Sequence, residues 1–499
     1  IGANNGNNEG NATLSGSIRD VKTGEPVIGA RVYIEQPRIG TFTDQFGYYS
    51  ITIPKGRHIL NISDAGMKDR KHQILIYSDG KLNVELAEQI FALKEVVISA
   101  DKAANVNRVQ LGVEKLTIKN IKQIPAVFGE ADVMKAVLTL PGVKSVGEAS
   151  SGFNVRGGSA DQNLILFNDE TIYNPSHFFG FFSAFNPEVV KDIELYKSSI
   201  PSRFGGRISS VLDISTREGN KKKFTGSAGI GLLTSRLNIE GPLIKDKTSV
   251  ILGGRTTYSN WMLDLLPGQY NQSSASFYDL NLGVNHIVNE KNTVYLTSYL
   301  SNDQFSLNKD TNAYSFNNQN ASLKWRHVFN NKLNAVFTVG NDNYTYRISG
   351  NEIPISAYKL RFNINQSNFK TDLTYYLNAK HSLDFGMSSI YYKLKPGTFN
   401  PLNAASSIEP DILNTEQALE SALYIADRFE VSPRLSLNYG LRYSFYNYLG
   451  PQLVSTYAPG IPKEEANQTG VETYQKGDFI KTYQGPELRL SGRYTLTED

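Results

Sequence analysis

The chain has no cysteine in 499 residues. That excludes a disulfide framework and any thiolate metal site, and it leaves no redox clue to compartment. No run of about eighteen apolar residues is present, which excludes a transmembrane helix; a barrel that crosses with strands needs none. A net charge of +3 is too small to point to nucleic acid as a partner. There is no nucleophile elbow, phosphate loop or metal-ligand cluster, and no pair of histidines brackets a glutamate in the zinc-protease manner. An enzyme is therefore not expected, nor a cofactor or metal. Residues 1–11 lack the charged start and apolar centre of a signal peptide. Their Asn and Gly content reads as a linker, with the chain beginning after something has been removed. Tryptophan is scarce, 2 residues against 28 tyrosines and 25 phenylalanines; that balance suits interfacial aromatic girdles and equally any β-rich protein.

What is present is dominated by the pattern of links after residue 221. The sequence there reads as about a dozen strands, with short connections alternating with long ones after the first hairpin. The short ones fall at 242–246, 289–292, 330–332, 378–381 and 432–433, and the long ones at 260–276, 302–317, 347–358, 395–414 and 450–481. A sheet with tight turns at one end and sprawling loops at the other meets two different surroundings, as outer-membrane β-barrels do. The strands alternate accordingly. Leu435, Leu437, Tyr439, Leu441, Tyr443 and Phe445 make one face, and Ser436, Asn438, Gly440, Arg442 and Ser444 the other. Leu488, Leu490 and Tyr494 repeat the pattern against Glu487, Arg489, Ser491 and Arg493. A soluble β-sandwich also alternates. The loop asymmetry, with strands of about ten residues that can cross a bilayer at a tilt, favours the barrel.

Three segments precede the barrel. Residues 12–90 set short apolar runs between turn signals, at 14–18, 31–34, 48–53, 58–62, 74–77 and 82–86, which predicts a small β-sandwich. Its wording, Gly16-Ser17-Ile18-Arg19-Asp20, Thr23-Gly24-Glu25-Pro26-Val27-Ile28-Gly29-Ala30, Thr43-Asp44 and Gly47-Tyr48-Tyr49, resembles the carboxypeptidase regulatory-like domain. The resemblance implies a non-catalytic accessory module, and His58 and His72 read as surface or edge residues. Within 91–120 lies an isolated β-branched stretch, Glu95, Val96, Val97, Ile98, Ser99 and Ala100. Such a segment can add itself to the edge of another sheet. It resembles the Ton box, the element of TonB-dependent receptors that the protein TonB grips; the alternative is a last strand of the sandwich.

Residues 121–220 resemble the plug domain of those receptors. The pieces are a short helix over 132–140 stopped by Pro141-Gly142, then Asn154-Val155-Arg156-Gly157-Gly158, the strand 163–167, and the turn Asn168-Asp169-Glu170 where the family more often has Asp-Gly. The motif Phe204-Gly205-Gly206-Arg207-Ile208 leads into the segment ending at Arg217. Gly157, Gly158, Gly205 and Gly206 suit close backbone approach or plain turns. Arg156, Arg203 and Arg207 are expected to pair with acids on the inner barrel wall. Tyr173, His177 and Phe178, in a stretch that runs to Phe182, fall where family plugs reach outward, and are candidate ligand contacts; Tyr457, Tyr474 and Phe479 in the longest loop are candidates to cap the site. Phe181 and Phe182 read rather as packing against the wall.

The resemblance implies an all-β-dominated fold, a transmembrane antiparallel barrel around an α+β plug with the sandwich ahead of it. It implies TonB-dependent active transport across the cell outer membrane, with the N-terminal domain periplasmic and the long loops extracellular. Implied partners are TonB with its inner-membrane motor, outer-membrane lipids and, in Bacteroidota-type receptors, a SusD-like surface lipoprotein or other outer-membrane complex subunits. The family's barrel has about twenty-two strands against about twelve here, so 221–499 is expected to be the N-terminal part of a longer barrel. Two other readings stay open: a non-transporting subunit of an outer-membrane secretion or assembly complex, and a soluble or surface adhesin built of β-sandwiches. The sequence names no cargo.

Overall fold

The computed structural model describes residues 1–4, 6, 9–64, 66–89, 112–124, 129–147, 152–265, 267–268, 270–308, 312–432 and 434–496. The candidate Ton box, Glu95 to Ala100, lies outside the described residues. At the N-terminus two small sheets face each other. One has Asn11–Asp20 between Tyr48–Pro54 and the short strands Gly80–Lys81 and Val84–Leu86; the other runs Ile39–Phe42, Arg31–Ile34, Gly56–Ser63, Arg70–Ile76. Alternate residues such as Leu14, Ile18, Val32, Ile51, Leu60 and Ile62 fill the space between them, the arrangement of a sandwich. Ile39–Phe42 is a strand that the apolar pattern did not reveal, because Gly40 and Thr41 interrupt it.

The plug is a five-stranded mixed sheet in the order Glu170–Thr171, Asn163–Phe167, Ser210–Thr216, Val190–Tyr196, Val113–Thr117. The helix Val133–Leu138 starts where the Asp132 side chain accepts from the Lys135 amide at 2.8 Å, and buries Val133, Met134, Ala136 and Val137. With Phe153, Ile165, Phe185, Leu195 and Leu212 they form the plug's core. Val113–Thr117 joins this sheet as an antiparallel edge, so the plug takes in residues that the sequence left in the linker.

From Thr225 onward the chain forms one antiparallel meander of 13 strands, every long strand pairing with its sequence neighbour. Thr225–Ile230 and Phe479–Tyr494 stand at its two ends among the described residues. Apolar faces point out and polar faces in: Tyr439 and Leu441 are 42% and 40% exposed, while Ser436 and Arg442 on the same strand are 2% and 3%. This inversion of a soluble core is what a wall between lipid and a filled lumen requires, and it removes the adhesin reading, in which the apolar faces would be covered. No helix among the described residues is long and apolar enough to cross a membrane, which says nothing of strands.

The short links lie as the sequence predicts, with the first shifted: Thr234–Ile244 runs through Pro242 to a turn before Thr248. The long links are shorter than expected. Asn292–Ser306 and Asn312–Val328 extend into what read as a loop at 302–317, and 450–481 contains its own hairpin, Gln452–Tyr457 with Gln468–Tyr474. In these extensions neither face need be apolar, so the apolar–polar alternation lapses while the backbone ladder continues; apart from the two-residue Asp411–Ile412, the strands from Ser274–Asn289 to Leu435–Leu449 run to 15 to 21 residues.

Candidate functional site

One set of plug–wall contacts lies toward the long-loop end. Residues 173–182 leave the plug sheet and present His177 to two wall strands, Ser274–Asn289 and Asn292–Ser306. His177 is 1% exposed, its Nδ1 2.7 Å from an Asp303 carboxylate oxygen and its Nε2 3.3 Å from Asp279. The ring stacks on Phe277 at 4.2 Å and 8°. Burial alone would lower the imidazole, but Asp303 and Asp279 outweigh it and push it up to about 9, so it is held as an imidazolium. The next residue, Phe178, takes a left-handed backbone at φ +50°, which a non-glycine residue rarely adopts, and its amide donates to Asp303 at 3.1 Å. That bond and the ring contacts with Phe181 and Phe305 fix the turn.

Asp279 is shared. Arg255, from the strand Thr248–Thr257, donates through Nε to Asp279 at 2.8 Å, through Nη1 to the plug's Glu130 at 2.7 Å and through Nη2 to the Ser183 carbonyl at 2.8 Å. Arg255, Glu130 and Asp279 are all but inaccessible, so each buried charge here is paired. One alternating network therefore runs from Glu130 through Arg255, Asp279 and His177 to Asp303, crossing between plug and wall three times.

A second anchor forms at the hairpin of Asn163–Phe167 and Glu170–Thr171. Phe167 pairs with Glu170, leaving Asn168 and Asp169 as a two-residue turn at φ +53° and +72°. Both central residues are left-handed, which is the primed geometry a two-residue hairpin needs, and Asn and Asp tolerate it best after Gly. Lys324 of the wall pairs with the Asp169 carboxylate at 2.5 Å, and Lys370 donates to its carbonyl at 2.7 Å. Beside them the Thr171 amide donates to Asp342 at 3.0 Å, and Asn368 donates to Glu170 at 2.7 Å. Burial first, then the neighbouring Asp342, pushes the Glu170 carboxyl well up.

A third contact explains one of the glycine pairs. A Cβ on Gly205 would sit 2.4 Å from the Arg442 guanidinium, and Gly206, at φ +76°, lies against Glu420. Arg442 donates to the Arg203 carbonyl at 3.2 Å and more loosely to Ser202. Gly157, by contrast, has open space around it at φ +86° and serves the turn, while Gly158 lies against Ser209.

The plug arginines do not pair with the wall as expected. Arg203 lies 3.8 Å from Asp213 of the plug itself and over the Phe204 ring, Arg207 donates to the Gly206 carbonyl at 2.7 Å, and Arg156 is exposed on its turn. Wall cations reach inward instead, because a lumen-facing Arg or Lys satisfies the carbonyls and carboxylates that the plug's irregular turns leave unpaired. Of the ligand candidates, His177 is buried in the network and closed to a ligand in this structure. Tyr173 is half-buried and donates to Gln366 at 2.7 Å; Phe178 is half-buried as well. Phe182 packs on Phe277 as expected, but Phe181 is 43% exposed. Tyr457 and Tyr474 sit on the separate loop hairpin, where Tyr474 donates to Glu472 at 2.8 Å, and Phe479 is exposed at the start of the last strand. Arg255, Asp279, Asp303, Lys324 and Asp342 were not singled out in the sequence, since each occupies an ordinary polar position on a lumen-facing side. No group of three or more His, Asp or Glu among the described residues is placed to hold a metal.

The family model for a TonB dependent receptor-like beta-barrel matches residues 247–497. The chain belongs to this family. The TonB-dependent Receptor Plug Domain matches 113–210 and a CarboxypepD_reg-like domain matches 14–98. Among solved structures, the copper transporter OprC superposes with a TM-score of 0.58 at 11% identity, over 78% of this chain and 62% of that one. The siderophore receptor PirA from Acinetobacter baumannii gives 0.52 at 16%, over 80% and 70%. The unliganded ferric citrate transporter FecA gives 0.55 at 12%, over 80% and 62%. The chain thus spans less than two thirds of the length of OprC and FecA, and at these identities the likeness is one of fold. Comparison with curated protein sequences found no match. Of these three proteins, two are named as transporters and one as a receptor.

Proposed function

We propose that this chain forms part of an energised importer in the outer membrane: ligand is gathered at the long-loop end, and TonB, engaging Glu95 to Ala100 from the periplasm, moves the plug to open a path along the wall. The observation that carries this reading is the charge network from Glu130 to Asp303. A plug held by buried, mutually paired charges does not leave thermally, so passage calls for work delivered from outside the barrel. The short-turn end, where the sandwich lies, is then periplasmic, and the outward apolar faces meet lipid. Exposed Leu265, Ile353 and Ile355 on the long-loop end support a lid protein such as a SusD-like lipoprotein. Tyr173 and Phe178 remain the proposed ligand contacts, with Tyr457, Tyr474 and Phe479 closing over them.

The test is deletion of residues 95–100 in the full-length protein. Binding of the purified TonB C-terminal domain is expected to vanish. Uptake, screened over ferric siderophores, cobalamin, oligosaccharides and peptides, is expected to stop while surface binding of the same compound persists. Unchanged TonB binding by the deleted form would refute the assignment of the Ton box.

A further inference from the structure

The N-terminal sandwich does not hang free. Its turn 43–47 enters the short-turn end of the barrel, carrying Phe46 and Tyr48, both buried there. The turn is braced by its own chain: Asp44 accepts from the Phe46 and Tyr48 amides at 2.8 and 2.9 Å, and Gly47 turns the corner at φ +71°. Arg326, on the wall strand Asn312–Val328, lies over both rings, 5.2 Å from Phe46 and 4.9 Å from Tyr48. Phe46 also meets Tyr295, and Tyr48 packs with Val328 and Tyr376.

Three hydroxyls finish the contact on a single residue of the short link after that strand. Ser15 donates to the Asn331 side-chain oxygen at 3.1 Å, and Ser50 and Tyr48 donate to its carbonyl at 2.7 and 3.2 Å. Lys81 and Glu290 form an exposed ion pair at 3.1 Å nearby. On the plug side Glu25 accepts from the Gly219 amide at 3.1 Å and lies 3.4 Å from Arg217. The domain thus bridges plug and wall. Above it is a cavity of about 400 Å³, with Thr43 and Asp44 of the sandwich, Arg203 and Asp213 of the plug, and Asp372 and Arg428 of the wall among its lining.

We propose that the N-terminal sandwich is a periplasmic gate: docked, it floors the space between plug and wall, and it must leave the rim before anything that has passed the plug reaches the periplasm. The inference rests on the transport reading above. The interface is mixed: Phe46 and Tyr48 form its buried apolar part, and around them lie hydroxyls, the Arg326 cation, the largely buried Glu25–Arg217 pair and the exposed Lys81–Glu290 pair; inter-domain contacts with this polar share come apart without unfolding either side. A brace meant to stay would bury a broader apolar surface than these two rings and their neighbours.

None of these 499 residues is cysteine, so within them no native thiol competes with the introduced pair. Lys81→Cys with Glu290→Cys places two thiols at exposed positions on either side of the contact, and a short bismaleimide reports docking in whole cells. High cross-linking is expected in cells lacking TonB, with roughly threefold less when TonB and the proton-motive force are present. Phe46→Ala is expected to lower the yield in both strains. Low yield without TonB would show that the domain does not dock and would overturn the gate. Equal yields in the two strains, while the purified TonB C-terminal domain still binds the protein, would overturn the gate and leave the transport reading standing; absence of TonB binding would remove both.

Discussion

His177 shows how one side chain's role depends on partners that sequence does not bring near. In the sequence it sits among aromatics in a plug loop, a pattern that suits ligand contact. In the fold, Asp279 and Asp303, more than a hundred residues further on, close around it and make it a lock. Its imidazole is raised from 6.5 to about 9, so its contribution to seating the plug is complete below pH 6.5, declines as the unfolded form loses its proton while the folded form keeps it, and is gone above about 9. Protease resistance of the plug in detergent-solubilised protein is therefore expected to fall between pH 6 and 9.5, and His177→Gln to flatten that dependence; parallel profiles for the two proteins would remove His177 as its source. Arg255 is the more costly residue to lose. Arg255→Ala leaves Glu130 and Asp279 buried without their cation, which costs about 3–5 kcal/mol. The expected readout is a plug that denaturant releases at markedly lower concentration than in the wild type, whereas an unchanged midpoint would mean that water already satisfies these carboxylates.

At the scale of elements, the pattern visible in advance was the one enforced by two solvents. The strand Leu435–Leu449 and the short links were legible because lipid on one face and a polar lumen on the other impose a period of two. The strand extensions were not, since Asn302, Asp303 and Gln304 are polar on both faces of the ladder they pair in. The strand Val113–Thr117 escaped notice for a similar reason: five half-buried residues at a sheet edge carry little alternation. The turn at Asn168 and Asp169 was legible as a turn but not in its handedness. Its geometry gives a sharp expectation. Asn168→Val forces a β-branched residue to φ +53° and removes the oxygen that accepts from the Thr216 amide at 3.0 Å. The left-handed backbone alone costs about 1–2 kcal/mol. Asn168→Gly keeps the backbone free and loses only the two bonds that this oxygen accepts, from the Thr216 amide and hydroxyl, so it should sit between wild type and Asn168→Val in plug stability measured by chemical denaturation. A Val variant as stable as the Gly variant would mean that the turn relaxes to another form.

For the whole molecule, the decisive feature is that the greasy side faces away from everything the chain itself supplies. Leu423, Ile425 and Leu441 on neighbouring strands are all substantially exposed, while the opposite faces meet plug and lumen. A soluble protein with such a surface aggregates; a barrel gains the stability of that surface only from lipid. Two substitutions on one strand separate these cases. Leu441→Arg, near the middle of Leu435–Leu449, places a charge on the outward face and is expected to cost about 2–4 kcal/mol in lipid vesicles. Asn438→Arg, on the inward face beside the cavity, sets the same charge opposite Arg428 but where water and the acids Asp372 and Asp384 also reach it, and should cost less. Urea-driven unfolding from vesicles of the intact receptor measures both. The difference should shrink when the same pair is compared in a detergent micelle, whose thinner, more deformable shell lets the arginine reach water. Equal costs in vesicles would mean that the outward face does not touch hydrocarbon, and the transport reading would lose its membrane.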